Sequence, residues 1–392
     1  GLVRLRITVN ASRQIIREAR RRYRRHNAAR RYVEQEFFSI LAKSHPSEPD
    51  PENVQYKLKR DPRVMEALER MWPVLTPSQM LRDLYGSNAL LASAGREVLS
   101  ESEWRSLSRP RGSGSADYRW SDGDVPLLDE AYERLGPRLG RDRKARDPEV
   151  RTFGHIVVDE TQDHTPMALR MIARRSLNGS MTLVGDIAQA TAPGAAASWE
   201  EVLAHLPVST HQPRVRELTL SYRIPAPNLE LANKVLAAAA PGLATPKAVR
   251  SVGSLPRIVD VGNNTRVTAE ELAKRAVSVV EEESLTLGGG SVAIIAPESL
   301  IDFVHSELES SGVDFGRATT ASRNVSGPLH PKIALVPVQL VKGLELDGTV
   351  LIEPRAIVEE EPQGLRALFV ALTRSTKRLA VVHSLSLPSE MT

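Results

Sequence analysis

The chain has no cysteine. Disulfide scaffolds, cysteine-ligated zinc and thiol catalysis are therefore excluded, and a reducing cytosol is the expected compartment. No apolar run approaches the roughly 20 residues that a membrane span requires, so a membrane-spanning protein is excluded as well. No basic segment leads into an apolar stretch as in a secretory signal. The chain opens on Gly1 without a methionine and reads as an excised piece of something longer. No internal repeat is visible. With 26% charged and 41% hydrophobic residues the composition is that of a globular protein, and 392 residues suffice for two or three domains with cores of their own.

Charge is more informative in its distribution than in its sum of +4. Nine arginines lie between Arg13 and Arg31, against a single acid, Glu18. From residue 13 to about 43 the apolar residues follow imperfect helical spacing with no internal Pro or Gly, which predicts one long basic helix. Its polar side either meets a polyanion or is the solvated face of a packed helix. His45 to Pro51 reads as a linker, Pro62–Met71 and Pro77–Tyr85 as helical pieces, and Arg109–Asp117 (RPRGSGSAD) as a flexible loop.

From about Ser121 short apolar strands alternate with helices, the pattern of a parallel α/β sheet. Strands are expected at Gly154–Val158, Met181–Val184, Glu217–Ser221, Arg257–Val261, Ser291–Ala296, Ile333–Val338, Thr349–Ile352 and Leu379–His383. Helices are expected at Pro166–Arg175, Ser198–His205, Ala226–Ala239, Ala269–Glu283, Pro297–Ser311 and Gly364–Thr373. The glutamate runs 281–283 and 359–361 read as helix-end or loop charge, and Gly288–Gly290, ahead of a strand, as a turn.

The strongest local signal is HIVVDETQD, His155 to Asp163. An apolar strand ending in Asp159–Glu160 puts two carboxylates at the C-terminal edge of a parallel sheet, where such sheets bind ligands. One can hold Mg²⁺ while the other takes a proton from an attacking water. Alone, the pair is as readily two solvated residues leaving a sheet. Four further segments follow in order: TLVGDIAQ (Thr182–Gln189), LTLSYR (Leu218–Arg223), VKGLELD (Val341–Asp347) and FVALTR (Phe369–Arg374).

This ordered set resembles motifs II to VI of the superfamily 1 helicases of the UvrD/Rep kind, across roughly residues 150–392. The resemblance implies ATP bound with Mg²⁺ between two RecA-like domains. Asp159 would hold the metal through water, and Glu160 would be the general base. Gln189 would sense the γ-phosphate, Tyr222 would stack on adenine, and Arg223 and Arg374 would be arginine fingers. Glu345 would contact the ribose, with Gly343 allowing close backbone approach. Each arginine could equally be an ordinary ion pair, and Tyr222 a core residue.

No G-x-x-x-x-G-K-[ST] loop occurs, so the lysine and hydroxyl that would hold the phosphates and magnesium are missing. Truncation upstream is the expected reason, and the chain alone is expected to be inactive as an ATP hydrolase. Gln189 is followed by Ala190-Thr191-Ala192-Pro193-Gly194 rather than an aromatic pair that stacks on DNA bases. Pro337 and Gln339 stand where a Thr and a His usually precede the Lys-Gly-Leu-Glu motif. About 120 residues separate Arg223 from Lys342, too few for the inserted subdomain of repair helicases.

With these departures, VPVQLVKGLELD (Val336–Asp347), GSMTLVGDIAQATAP (Gly179–Pro193), SWEEVL (Ser198–Leu203) and WSDGDVPLLDEA (Trp120–Ala131) resemble the HelD family in its actinobacterial form, the helicase-like ATPases associated with RNA polymerase. The implied organisation is a mainly helical family-specific insertion over 1–120, the C-terminal part of a first, incomplete RecA-like domain over 121–211, and a second RecA-like domain over 212–392. The implied function is ATP-driven release and recycling of RNA polymerase from nucleic acid, in the cytoplasm with the nucleoid. Nucleic acid would be met weakly or indirectly, and a membrane not at all. The alternatives are a UvrD-like repair helicase translocating on single-stranded DNA, and a non-catalytic polymerase-binding module.

Overall fold

The computed structural model describes residues 5–47, 49–111, 118–138, 150–206, 213–262, 267–318 and 332–392. Residues 112–117 of the expected Gly/Ser-rich loop lie outside them. The chain forms two compact units, Gly1–His155 with Met167–Ser180, and Ile156–Pro166 with Met181–Thr392. Among the described residues no helix is long and apolar enough to cross a membrane.

The first unit is helical: α1 (Val9–Arg22), α2 (Arg30–Lys43), α3 (Pro51–Leu58), α4 (Pro62–Met71), α5 (Pro77–Tyr85), α6 (Asn88–Gly95), α7 (Glu101–Ser106), α8 (Asp124–Leu135) and, apart from its first residue, α9 (Pro166–Ala173). Helix starts are written into the sequence. Asp50 and Asp61 cap helices whose first residue is proline, and Thr76/Gln79 and Ser100/Glu103 are complete capping boxes. Phe37, Phe38, Leu41, Val54 and Leu68 form one core cluster, with Ile15, Ala19, Val33 and Trp72 beside it.

The single long helix expected over 13–43 is two helices. Helical propensity in Tyr23–Ala29 loses to tertiary hydrogen bonds that a continuous helix could not make. Buried Asn27 donates to Leu75 O (3.0 Å) and Gly136 O (2.9 Å) and accepts from Leu75 N (3.1 Å). His26 stacks on Trp72 at 4.5 Å, and its carbonyl accepts from the indole Nε1 at 2.9 Å.

The second unit is α/β, and each of its sheets is parallel. β1 (Ile156–Val158) pairs with β2 (Met181–Leu183), Ile156 opposite Met181. After α10 (Trp199–Ala204), β3 (Leu220–Ser221) pairs across α11 (Ala226–Ala239) with β4 (Lys247–Ala248). The remaining elements are β5 (Arg257–Asp260), α12 (Ala269–Leu287), β6 (Val292–Ala296), α13 (Glu298–Ser311), β7 (Phe315–Arg317), β8 (Ile333–Pro337), β9 (Leu346–Ile352), α14 (Pro354–Glu360), α15 (Gly364–Leu372) and β10 (Ser375–His383). They build a six-stranded sheet in the order β5-β10-β9-β6-β8-β7.

Alternate residues of these strands enter two separate cores. Val292, Ile294, Val350, Ile352, Ala380 and Val382 pack with α12 and α13. Ala293, Ile295, Leu351, Leu379 and Val381 pack with α11, α14 and α15. Burial on both faces is why β6 and β8 read as unbroken apolar runs.

Two expectations change. β4, β7 and α14 are additional, the two strands being too short to carry a pattern. The glutamates 281–283 lie inside α12 rather than at its end, and Glu283, only 3% exposed, is ion-paired with Arg378 and Arg257 from the neighbouring strands β10 and β5. The glycine triplet is the expected turn, Gly288 at φ 63° closing α12.

Asp124 locks the helical unit. It accepts from Arg109 Nη1 (2.7 Å), from Ser121 N and Oγ (2.8 Å each), and from Tyr85 Oη at 3.3 Å. Burial alone would raise its pKa, but the Arg109 and Ser121 hydrogen bonds outweigh burial and hold it at about 2 against 3.8 in a free aspartate. A depressed folded-state pKa gives stability that is present above the unfolded value and is lost as pH falls through the folded one. Asp124→Asn is expected to cost about 2 kcal/mol at pH 7 and to remove that acid loss between about pH 4 and 2. Urea titrations of the two chains across this range measure it, and equal midpoints at neutral pH would exclude the lock.

Candidate functional site

The second unit brings together residues from five separated segments. β1 ends at Val158, and the chain turns sharply through Asp159 and Glu160. Asp159 Oδ1 accepts from Glu160 N at 2.8 Å, and Glu160 sits in the left-handed region at φ 49°. For a non-glycine residue this conformation costs about 1–2 kcal/mol.

The two following residues, both buried, hold it there. Thr161 donates Oγ1 to Val158 O (3.1 Å) and Val184 O (2.9 Å), clamping β1 to the end of β2. Gln162 donates Nε2 to Glu160 Oε2 (2.8 Å), while its Oε1 accepts from Asp186 N (3.0 Å). The close passage of the two loops requires Gly185. A Cβ there would lie 2.3 Å from Gln162 Oε1 and 3.1 Å from Thr161 N.

Beyond β2, Asp186 caps the short turn Ile187–Gln189 by accepting from Ala188 N (2.9 Å) and receives Gln189 Nε2 at 2.8 Å. That leaves Gln189 Oε1 to accept from Arg374 Nη2 at 3.1 Å. Lys342, its side chain 13% exposed, places Nζ 2.6 Å from Asp163 Oδ2, 2.8 Å from Gln189 O and 3.3 Å from Glu160 Oε2. The other oxygen of Asp163, Oδ1, is buried without a hydrogen-bond partner among the described residues.

Arg374 is half-buried where α15 passes into β10, anchored through Nε to Val370 O at 3.0 Å. Burial first, and then the guanidinium of Arg223, push its pKa down, against the carboxylates of Glu160 and Asp186. Arg223 is ion-paired with Glu345 at the surface. Glu160, Gln189 and Arg374, and Arg223 with Glu345, are thus assembled.

Asp159, Tyr222 and Gly343 are exposed, and apart from the Asp159 bond to Glu160 N none of them has, among the described residues, a side-chain hydrogen bond or ion pair to the other residues of the site. Tyr222 is 67% exposed, which removes the core alternative and leaves its ring face open. Gly343 has φ 78°, and no atom of the described residues lies within 4 Å of where a Cβ would be. Sequence reasoning assigned no role to Lys342, Gln162, Asp163 and Asp186, although all four lie inside the motifs it singled out.

Among the described residues no three His, Asp or Glu side chains converge as a metal cluster. A single exposed carboxylate such as Asp159 suits Mg²⁺, which keeps several of its waters and takes its remaining ligands from substrate phosphates. The residues present fit a magnesium nucleotide in this respect.

Gly185→Ala is expected to displace the Gln162 amide and cost about 1–3 kcal/mol, with faster amide exchange over residues 158–163 than in the parent chain. Unchanged stability and exchange would mean that the loops part without cost and that Gln162 does not hold the turn.

No protein-family model and no curated protein matches the chain. Among solved structures it is similar to the C-terminal domain of a possible DNA helicase from Lactobacillus plantarum WCFS1, at 19% sequence identity and a TM-score of 0.32. The match covers 44% of this chain and 92% of that one. A likeness of that size carries nothing about fold or function.

Proposed function

We propose that the chain is the motif II to VI portion of a helicase-like ATPase of the HelD type, which binds RNA polymerase and uses ATP to free it from nucleic acid. The observation that carries the ATPase part is the meeting of Glu160, Gln189, Lys342 and Arg374, from four separated segments, in one hydrogen-bonded cluster. Structural ion pairs need no such combination of carboxylate, amide and guanidinium at the open edge of a parallel sheet.

In this reading the domains run 121–211 and 212–392 after a helical insertion over 1–120, and the nucleotide lies at their junction. Magnesium, when bound, supplies charge neutralisation on the phosphate oxygens. Asp159 would hold it through water. Glu160 Oε2 is engaged by Gln162 and Lys342, which orients the carboxylate so that Oε1 can accept the proton of a water attacking the γ-phosphate. Gln189 would position that water and report the phosphate to Arg374, whose guanidinium it already binds. Arg223 would leave Glu345 to meet the developing charge, and Glu345 would turn to the ribose. Tyr222 would stack on the adenine, and the backbone at Gly343 would pass close to the nucleotide.

The polymerase part rests on the departures from repair helicases. After Gln189 the chain turns inward, Ala190 being fully buried and Gly194 at φ 75°, so this segment supports no aromatic platform for bases. A competition at physiological salt between core RNA polymerase and a single-stranded oligonucleotide tests it. Tight polymerase binding is expected, and oligonucleotide binding without polymerase affinity would hand the chain to the UvrD-like repair reading.

Hydrolysis is measured in the protein extended upstream to the phosphate loop that this reading requires. Glu160→Gln should abolish turnover while nucleotide binding persists, and Arg374→Ala should slow it by about 10³-fold. Normal turnover in both would refute the site.

A further inference from the structure

The ATPase reading leaves the arginines of α1 unused. Glu18 is taken by Arg21 and Arg22, Arg25 by Glu133, and Arg30 by Glu34 and Glu69. Arg13, Arg17 and Arg20 are exposed, and among the described residues none of them pairs with a carboxylate. At 100° per residue they fall within about 60° of one another, on the side of α1 opposite the buried Ile15 and Ala19. Along the axis they are spaced by roughly 6 and 5 Å, the scale of successive phosphates on a strand.

Beside this stripe lies an open groove of about 470 Å³ floored by Ile7, Ile16, Phe37 and Met71. Arg13 lines it as well as standing on the stripe, and the charged residues around it are three arginines, Arg13, Arg63 and Arg70, against one carboxylate, Glu66, which pairs with Arg70. An apolar slot with a cationic edge matches a ligand that is apolar on its faces and anionic along its spine.

We propose that the stripe and groove are a contact site for single-stranded nucleic acid, with phosphates on Arg13, Arg17 and Arg20 and an unstacked base in the groove. Three features favour this over an acidic protein surface. The stripe is all arginine, whose guanidinium binds phosphate in a bidentate fork. Between Arg13 and Arg20 its exposed residues are all polar, Ile15 and Ala19 being buried and Ile16 half-buried in the groove, so the stripe itself lacks the exposed apolar centre of a protein interface. The groove accepts a base only when the base is unstacked, which a single strand offers and a duplex does not. The site belongs to the helical unit and stands or falls separately from the nucleotide-site reading.

The test is fluorescence anisotropy of a labelled 12-nucleotide single strand on the 392-residue chain without nucleotide, from 50 to 200 mM salt. Three phosphate contacts predict a slope of about −2 for log affinity against log salt. The variant Arg13→Gln/Arg17→Gln/Arg20→Gln, on an exposed helix face, should remove nearly all of that slope. An abasic strand should keep the slope and bind about tenfold more weakly, a comparison made on the unaltered chain and so independent of how the variant folds. A slope unchanged in the variant, equal binding of the abasic strand or of a duplex of the same length, or competition by polyglutamate as effective as by the oligonucleotide would each overturn the proposal.

Discussion

The candidate site is assembled around the ammonium of Lys342. A lysine nitrogen with little exposure must recover its lost hydration from fixed acceptors, and Lys342 does so from the Asp163 carboxylate, the Gln189 carbonyl and, at longer range, the Glu160 carboxylate. Those acceptors come from the loops after β1 and β2, while the lysine follows β8. The charge therefore ties the loops of the β1–β2 pair, already held in register by its own ladder and by Thr161, to the loop after β8. Removing it would leave the partly buried Asp163 carboxylate without its counter-charge, one of its oxygens already lacking a hydrogen-bond partner among the described residues.

The scaffold beneath is the six-stranded parallel sheet. Because its strands alternate between two apolar cores, each strand is fixed in rotation, and the residue that follows each strand emerges in a determined direction. In such a sheet polar side chains gather at the carboxyl ends of the strands. Lys342 follows β8, and the short loops after β1 and β2 obey the same geometry on a sheet of only two strands. Arg374 departs from this rule, arriving from the end of α15 just ahead of β10. It thereby approaches Gln189 from the helix side, which is how it is partly desolvated while the residues opposite remain accessible.

Much of this was legible in the chain. The apolar runs of β6 and β8, the Pro and Ser/Thr caps, and the alternation of strand and helix from about Ser121 are local signals, and the strands and helices they predict are present. What was hidden depended on partners distant in sequence. Glu283 looks like solvated charge until Arg378, 95 residues on, is placed beside it. The break at Tyr23–Ala29 carries no Pro or Gly, and its cause is a set of hydrogen bonds to residues 48 to 109 positions away. Of the candidate site, motif spacing named Glu160, Gln189 and Arg374, which the fold brings together, Gln189 and Arg374 in direct hydrogen bond. It assigned no role to Gln162 or Lys342, whose part is to hold those residues in place and follows only from distances.

Glu160 and Glu353 make the same point by contrast. Each is a glutamate just past a parallel strand, and each has φ of 49°. Glu353 is buried, and both its oxygens are satisfied by Ser384 N and Oγ and by Leu385 N, so that the strained turn ties β9 to the end of β10. Glu160 engages Gln162 and Lys342 through Oε2 alone, keeps its side chain 46% exposed, and lies within the electrostatic reach of Arg374. The backbone strain is equal, so strain alone does not mark a site. The difference lies in what the carboxylate faces: in Glu353 a closed set of backbone and hydroxyl donors that completes the fold, in Glu160 an amide and an ammonium on a side chain that stays partly exposed.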